Sequence, residues 1–264
     1  MSRVSEDLDS LLWRYYTEAS QGLVDVSPSR LTRGQGTEKG FYIFKVDLAN
    51  STKSLLLSRR ATYLKLAHTF LSTVDEITYE SGADNNQTEY VGDGLIAYFP
   101  ESTQISKILT AAVMCREAVL RLKKLDATLG NLDLNFRIVI HYDTLVMAKI
   151  GRRGESIISA IGLPIHKVCK IEETINPGVG RVTKEFYQRV SRELRQYFLE
   201  VSESKQVACA PIYAPAPVRT STLANLLYAS TEGFYTPPAI TYKLEKTILG
   251  YNLNWFKLKQ TLGL

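Results

Sequence analysis

The chain has 264 residues, a net charge of +5, 45% apolar and 22% charged residues, the balance of a globular protein with a sizeable core. No run approaches the ~20 apolar residues of a membrane helix, and the start, Met-Ser-Arg-Val-Ser-Glu-Asp, lacks the apolar segment of a secretory signal. A cytoplasmic protein with no membrane partner is therefore expected. Three cysteines, Cys115, Cys169 and Cys209, at no metal-type spacing, read as reduced thiols. The modest positive charge suits an anionic ligand, but no basic stripe with interleaved aromatics points to nucleic acid.

Leu8, Leu11, Leu12, Tyr15 and Tyr16 recur at helical spacing and predict an amphipathic helix near 5–20, stopped by Gly22. A polar linker with Pro28, Thr32, Gly34, Gly36, Thr37 and Gly40 follows. The apolar run from Phe41 predicts a strand that ends on Asp47 and passes into Ala49, Asn50, Ser51 and Thr52. The next stripe, Leu56, Tyr63, Ala67, Phe70, Leu71, Val74 and Ile77, predicts a helix over about 53–80. Tyr90–Val91 and Leu95–Phe99 then flank Gly92–Asp93–Gly94, the chemistry of a tight hairpin with an acidic tip. A helix over about 106–125 carries Ile108, Ala111, Ala112, Cys115, Val119 and Leu122 inward.

Strands are predicted over 134–141, 144–150 and 156–161. A helix opens at Gly162, with Pro164 in its first turn, and runs through Glu173. Strand 178–183, helix 184–192 and strand 197–201 close the regular part. Pro211, Pro215, Pro217, Pro237 and Pro238 punctuate a long irregular stretch, with one more strand candidate over 240–249. The organisation is an N-terminal helix and linker (1–40), a main domain (41–201) and a C-terminal extension (202–264) that completes or flanks it.

Asp47 at a strand end and Asp93 at a hairpin tip can meet if their strands are neighbours in one sheet. Two such carboxylates, followed by small residues at a helix N-terminus, suit divalent metal ions and a polyphosphate.

This order resembles the catalytic domain of the class III nucleotide cyclases over about 41–201. Four motifs carry the resemblance: Val46–Asp47–Leu48–Ala49–Asn50–Ser51–Thr52; Val91–Gly92–Asp93–Gly94; Ile138–Val139–Ile140–His141 continuing to Ile150–Gly151; and Gly162 to Lys170. It implies an α/β (α+β) ferredoxin-like fold, a mixed, mostly antiparallel sheet with helices packed on it. It also implies that Asp47, Asp93 and the Leu48 backbone carbonyl bind two divalent ions, manganese or magnesium. Asn50, Ser51 and Thr52 are then implied to offer backbone N–H groups to the phosphates, with simple N-capping as the other reading of Ser51 or Thr52.

The departures from the family are specific. His166 and Lys170 stand where it places Asn and Arg on the transition-state helix; a spacing of four keeps them on one face, but Lys lacks the planar fork of Arg. Asp143 and Ala148 replace two family glycines, and His141 reads as a structural residue. The base-reading position, four before the second metal Asp, holds Glu89, and its partner position falls at Ser159. Metal ligands and base-reading groups come from different chains in this family, which implies a homodimer with shared active sites.

The mixture is most similar to the stand-alone bacterial pyrimidine cyclases of Pycsar antiphage defence. That likeness implies conversion of UTP to cUMP and pyrophosphate as an alarm signal. Glu89 leaves guanylate and cytidylate cyclases open, because a carboxylate accepts from guanine N–H groups, the cytosine amine or the uracil N3–H. From another class, a catalytically inactive nucleotide-binding module fits His166 and Lys170 but gives no reason for paired aspartates.

Overall fold

In the computed structural model, residues 7–51, 53, 56, 59–84, 87–125, 129, 132–209 and 241–262 are described. The fold is built around β1 (Gly36–Ala49), whose residues Phe41, Tyr42, Ile43, Phe44, Lys45 and Val46 are all buried. Such a near-continuous apolar run belongs to a strand covered on both faces. β1 pairs antiparallel with β3 (Gly94–Pro100) on one side and β4 (Asn135–Ile150) on the other. One face packs on α2 (Arg60–Glu80) and α3 (Ile105–Leu122) through Phe44, Phe70, Val74, Ile108 and Ala112. The other face carries a second core, with Ile43, Ile96, Tyr98 and Val139 against Val168 of α4 (Leu163–Thr174).

The sheet runs β2 (Glu89–Val91), β3, β1, β4, β6 (Val179–Val182), β8 (Thr241–Leu253), β7 (Phe198–Cys209), while β5 (Ile157–Ile161) pairs the last part of β4. Only β4–β6 is parallel among the described pairings. This is the mixed, mostly antiparallel α+β sheet expected. The chain divides into two compact units, Met1–Val201 with Gly250–Leu264, and Ser202–Leu249. What is described of the second unit is strand, over 202–209 and 241–249. No helix among the described residues is long and apolar enough to cross a membrane.

Several local expectations are corrected. The long helix over 53–80 is interrupted: Arg59 is extended (φ −68°, ψ 147°) and α2 starts at Arg60, with helical residues 51, 53 and 56 before it. Leu56 is 80% exposed and leaves the stripe, while Leu66 joins it. The two strands over 134–141 and 144–150 are a single 16-residue strand. β1 offers a partner along that length, from Gly36↔Ala148 to Ala49↔Asn135, so nothing forces a turn at Tyr142–Asp143. α1 (Leu8–Glu18) forms behind an Asp7 N-cap but buries none of its residues. α5 (Lys184–Gln188) stops four residues before the expected Arg192. Beyond 250 the pattern is more regular than expected. α6 (Trp255–Leu262) sets Trp255 edge-on to Phe136 at 5.7 Å and buries Leu258.

Candidate active site

Asp47 lies near the end of β1, where its register partners are Gly94 of β3 and Arg137 of β4. The β2–β3 loop is the two-residue turn Gly92–Asp93, and Gly92 takes φ 64° in the position that wants glycine. The turn therefore delivers Asp93 beside Asp47. Gly94 makes room for the pair: a Cβ there would sit 2.8 Å from Asp47 Oδ1 and 3.0 Å from the Val46 carbonyl oxygen. Tyr63 of α2 lies close by, its hydroxyl pushed above the usual tyrosine range by burial and by both aspartates.

Three charged residues complete the surroundings of Asp47. Arg137 Nη1 stands 3.7 Å from Asp47 Oδ2 and 3.2 Å from Glu172 Oε1, and Arg137 Nε donates to the Ile175 carbonyl at 3.0 Å. Glu172, on the inner face of α4, takes a further hydrogen bond from Lys45 Nζ at 3.2 Å. The Lys45 and Glu172 side chains are each 8% exposed. Paired buried charges of this kind hold one another, and removing either leaves the other uncompensated. Lys45, Arg137 and Glu172 were not singled out in the sequence. A signal was present: Lys45 and Arg137 are cations inside apolar strand runs, and Lys45 shares the Asp47 face by period two.

Burial first, then the Asp93 and Glu172 carboxylates, push the Asp47 carboxyl up to about 6 against the offsetting Lys45 and Arg137. Asp93 Oδ2 is buried with no hydrogen-bond partner. A strained carboxylate pair with an orphaned oxygen is what a hard divalent cation relieves, so the residues present fit one. Among the described residues no group of three or more His, Cys, Asp or Glu side chains could hold a metal. Two carboxylates alone leave a hard divalent cation to complete its shell with carbonyl, water or phosphate oxygens.

The raised Asp47 value has a measurable consequence. An acid whose folded pKa lies above its ordinary 3.8 binds more protons folded than unfolded between the two values. Stability of the metal-free chain should then fall as pH rises from about 4 to about 6 and level off above, by up to about 3 kcal/mol. Asp47→Asn should remove that slope and be the more stable chain at pH 8 in a chelator. Urea unfolding across pH 4–8 tests it; a flat wild-type profile would mean that the carboxylates do not oppose each other.

The other predicted residues fall at several separate places. Glu89 on β2 accepts from Ser159 Oγ at 3.0 Å and from the Ala160 backbone N–H at 2.9 Å, both on Oε1. Glu89 and Ser159 are thus brought together within one chain. His166 and Lys170 are exposed on the face of α4 opposite buried Val168 and Glu172, and Lys170 pairs with Glu173 at 2.9 Å. They do not approach Asp47 or Asp93 of their own chain. Asn50 turns the strand end with φ 66°, and its Nδ2 donates to Asp133 at 3.1 Å. Ser51 is half-buried, Leu48 is in the core opposite Phe136, and Thr52 lies outside the described residues. His141 is fully buried, with Nδ1 2.8 Å from Thr183 Oγ1 and Nε2 3.3 Å from Asp143 Oδ2 but in no formed hydrogen bond.

A central, mostly antiparallel sheet with helices on both faces is the fold of solved class III cyclase domains. The guanylyl cyclase Cya2 superposes with a TM-score of 0.55 at 16% identity, covering 68% of this chain and 88% of its own. The adenylyl cyclase CyaB from Pseudomonas aeruginosa gives 0.54 at 16% identity, covering 66% and 88%. A class III adenylyl cyclase-like ATP-binding protein from Pseudomonas aeruginosa gives 0.56 at 13% identity, covering 72% of this chain and 45% of its own. No protein-family model matches the sequence, and no curated protein does. At these identities the likeness establishes the fold: the chain has the class III cyclase fold.

Proposed function

We propose that the chain is a nucleotide cyclase that converts UTP to 3′,5′-cyclic UMP and pyrophosphate. The observation that carries this reading is the convergence of Asp47 and Asp93 from adjacent strands, with a buried oxygen left without a partner. Asp47, Asp93 and the Leu48 carbonyl would hold the divalent ions, manganese or magnesium. When bound, these would supply the positive charge that neutralises a triphosphate and acidifies a ribose hydroxyl. Arg137, next to Asp47, adds a fixed cation for the phosphates, and backbone N–H groups of Asn50, Ser51 and Thr52 add neutral donors. The ribose 3′-oxygen bonds to the α-phosphorus, its proton goes to solvent, and the bond from the α-phosphorus to the pyrophosphate oxygen breaks.

Glu89, held by Ser159, reads the base as an acceptor of its N–H group. His166 and Lys170 of the partner subunit balance charge that develops on the phosphates. On the likeness to Pycsar cyclases, the product serves as an antiphage alarm signal. Incubation with each of the four ribonucleoside triphosphates and manganese, read by mass, tests the reading, and cyclic UMP should dominate. Cyclic GMP or cyclic CMP as the main product would move the assignment to a guanylate or cytidylate cyclase. The exposed His166 and Lys170 favour one other reading, a binding module without turnover, for which all four triphosphates would survive intact.

Base selection has its own test. Glu89→Ala should change the relative use of the four triphosphates by about tenfold or more while leaving the melting temperature close to wild type, since a charge-assisted hydrogen bond is worth about 1.5–3 kcal/mol. An unchanged substrate ranking would make Glu89 a strand residue tied to β5 and nothing more.

A further inference from the structure

Tyr98 of β3 has a feature that packing does not explain. Its side chain is fully buried, edge-on to Phe41 at 6.4 Å, yet its hydroxyl has no partner in full hydrogen-bond geometry and only a weak interaction with the Glu89 carboxylate. A buried hydroxyl without a full hydrogen bond is costly, and Phe would fill the same volume without that cost. Where the hydroxyl lies is therefore informative. Glu89 is opposite Ile96 in the β2–β3 register, and Tyr98 is two residues further on the same face. The Glu89 carboxylate lies against it: burial first, then Glu89, push the Tyr98 hydroxyl above the ordinary tyrosine range.

Glu89 itself takes its two well-formed hydrogen bonds on one oxygen. Both donors from β5, Ser159 Oγ and the Ala160 N–H, fall on Oε1. A base that engages this carboxylate competes with those two donors and shifts it. A half-buried carboxylate that loses donors as it moves needs another, or the base gains nothing from meeting it. Within the second core, Tyr98 is the fully buried donor that faces Glu89 without a full hydrogen bond.

We propose that Tyr98 is a positioning residue for the base-reading carboxylate: its hydroxyl donates to Glu89 when a nucleobase draws Glu89 from Ser159 and Ala160, holding it aimed at an N–H edge of the base. The proposal rests on Glu89 reading the base. It makes selectivity a property of three donors around one carboxylate, two from β5 and one from β3.

Tyr98→Phe removes one oxygen and tests this. The variant should melt close to the wild-type temperature, because the hydroxyl has no full hydrogen bond to lose. By calorimetry and steady-state kinetics, Kd and KM for the preferred triphosphate should rise about tenfold. The kcat value, and the affinities of the other three triphosphates, should stay within about twofold, so that the ranking narrows. In a Glu89→Ala background the same change should have no further effect, the mark of coupling between the two residues. An unaltered ranking, or an equal effect with and without Glu89, would overturn the proposal. So would loss of the fold in Tyr98→Phe, which would give the hydroxyl a structural role. Wild-type protein that binds triphosphates without cyclising them would remove the cyclase reading and leave the affinity measurements as a full test of Tyr98. A chain that binds none of the four overturns both.

Discussion

Asp47→Ala and Asp93→Ala should each reduce cyclisation by about a thousandfold or more, roughly 4 kcal/mol of lost transition-state stabilisation. Neither should unfold the chain. Both side chains sit at the end of the sheet rather than in its core, and Asp47 in the metal-free protein is held in an unfavourable charged pair. The reading also has a signal that is independent of turnover. Added manganese should raise the wild-type melting temperature by mass action, and the shift should shrink or vanish in either variant. Gly94→Ala should behave like the aspartate variants, since its methyl group would press on Asp47 Oδ1 and the Val46 carbonyl. Wild-type-like turnover in Asp47→Ala or Asp93→Ala would remove the paired-carboxylate reading altogether.

The elements that position this site were legible because their signals are local. The Phe41–Val46 run announces a strand ending on Asp47, and Gly92–Asp93–Gly94 announces a tight turn with Asp93 at its tip. What the sequence hid depends on register. Glu172 reads as an ordinary helix glutamate until α4 docks on the sheet and brings it within 3.2 Å of both Lys45 and Arg137. Tyr98 reads as one more apolar strand residue until the β2–β3 pairing sets it against Glu89. The single long β4 was missed for a similar reason: its middle, Tyr142–Asp143–Thr144, is polar enough to suggest a turn, and only the 14-residue length of β1 holds it straight. Leu56 shows the opposite failure, an apolar residue in phase with a helix that does not reach it.

A mixture of two inactive proteins should recover activity. His166 and Lys170 are on the outer face of α4, turned away from Asp47 and Asp93 of the same chain. If they act on the substrate, they act on one held by another copy. Exposed apolar side chains lie near Glu89 along these strands, Val91 on β2 and Ile157 and Ile161 on β5, with Leu163 following in the chain. Such a patch suits burial against a second copy. A two-fold axis then generates two equivalent composite sites, each with aspartates from one chain and α4 from the other. In an Asp47→Ala/Lys170→Ala heterodimer both defects fall in one site and the other is intact. Each heterodimer should turn over at about half the wild-type rate, and a randomly exchanged equal mixture at about a quarter, by the same symmetry. Asp47→Ala mixed with Asp93→Ala is the matching control. There each composite site inherits one defective aspartate, and no activity should return. Failure of the first mixture after verified subunit exchange, or recovery in the second, would show that each chain completes its own site.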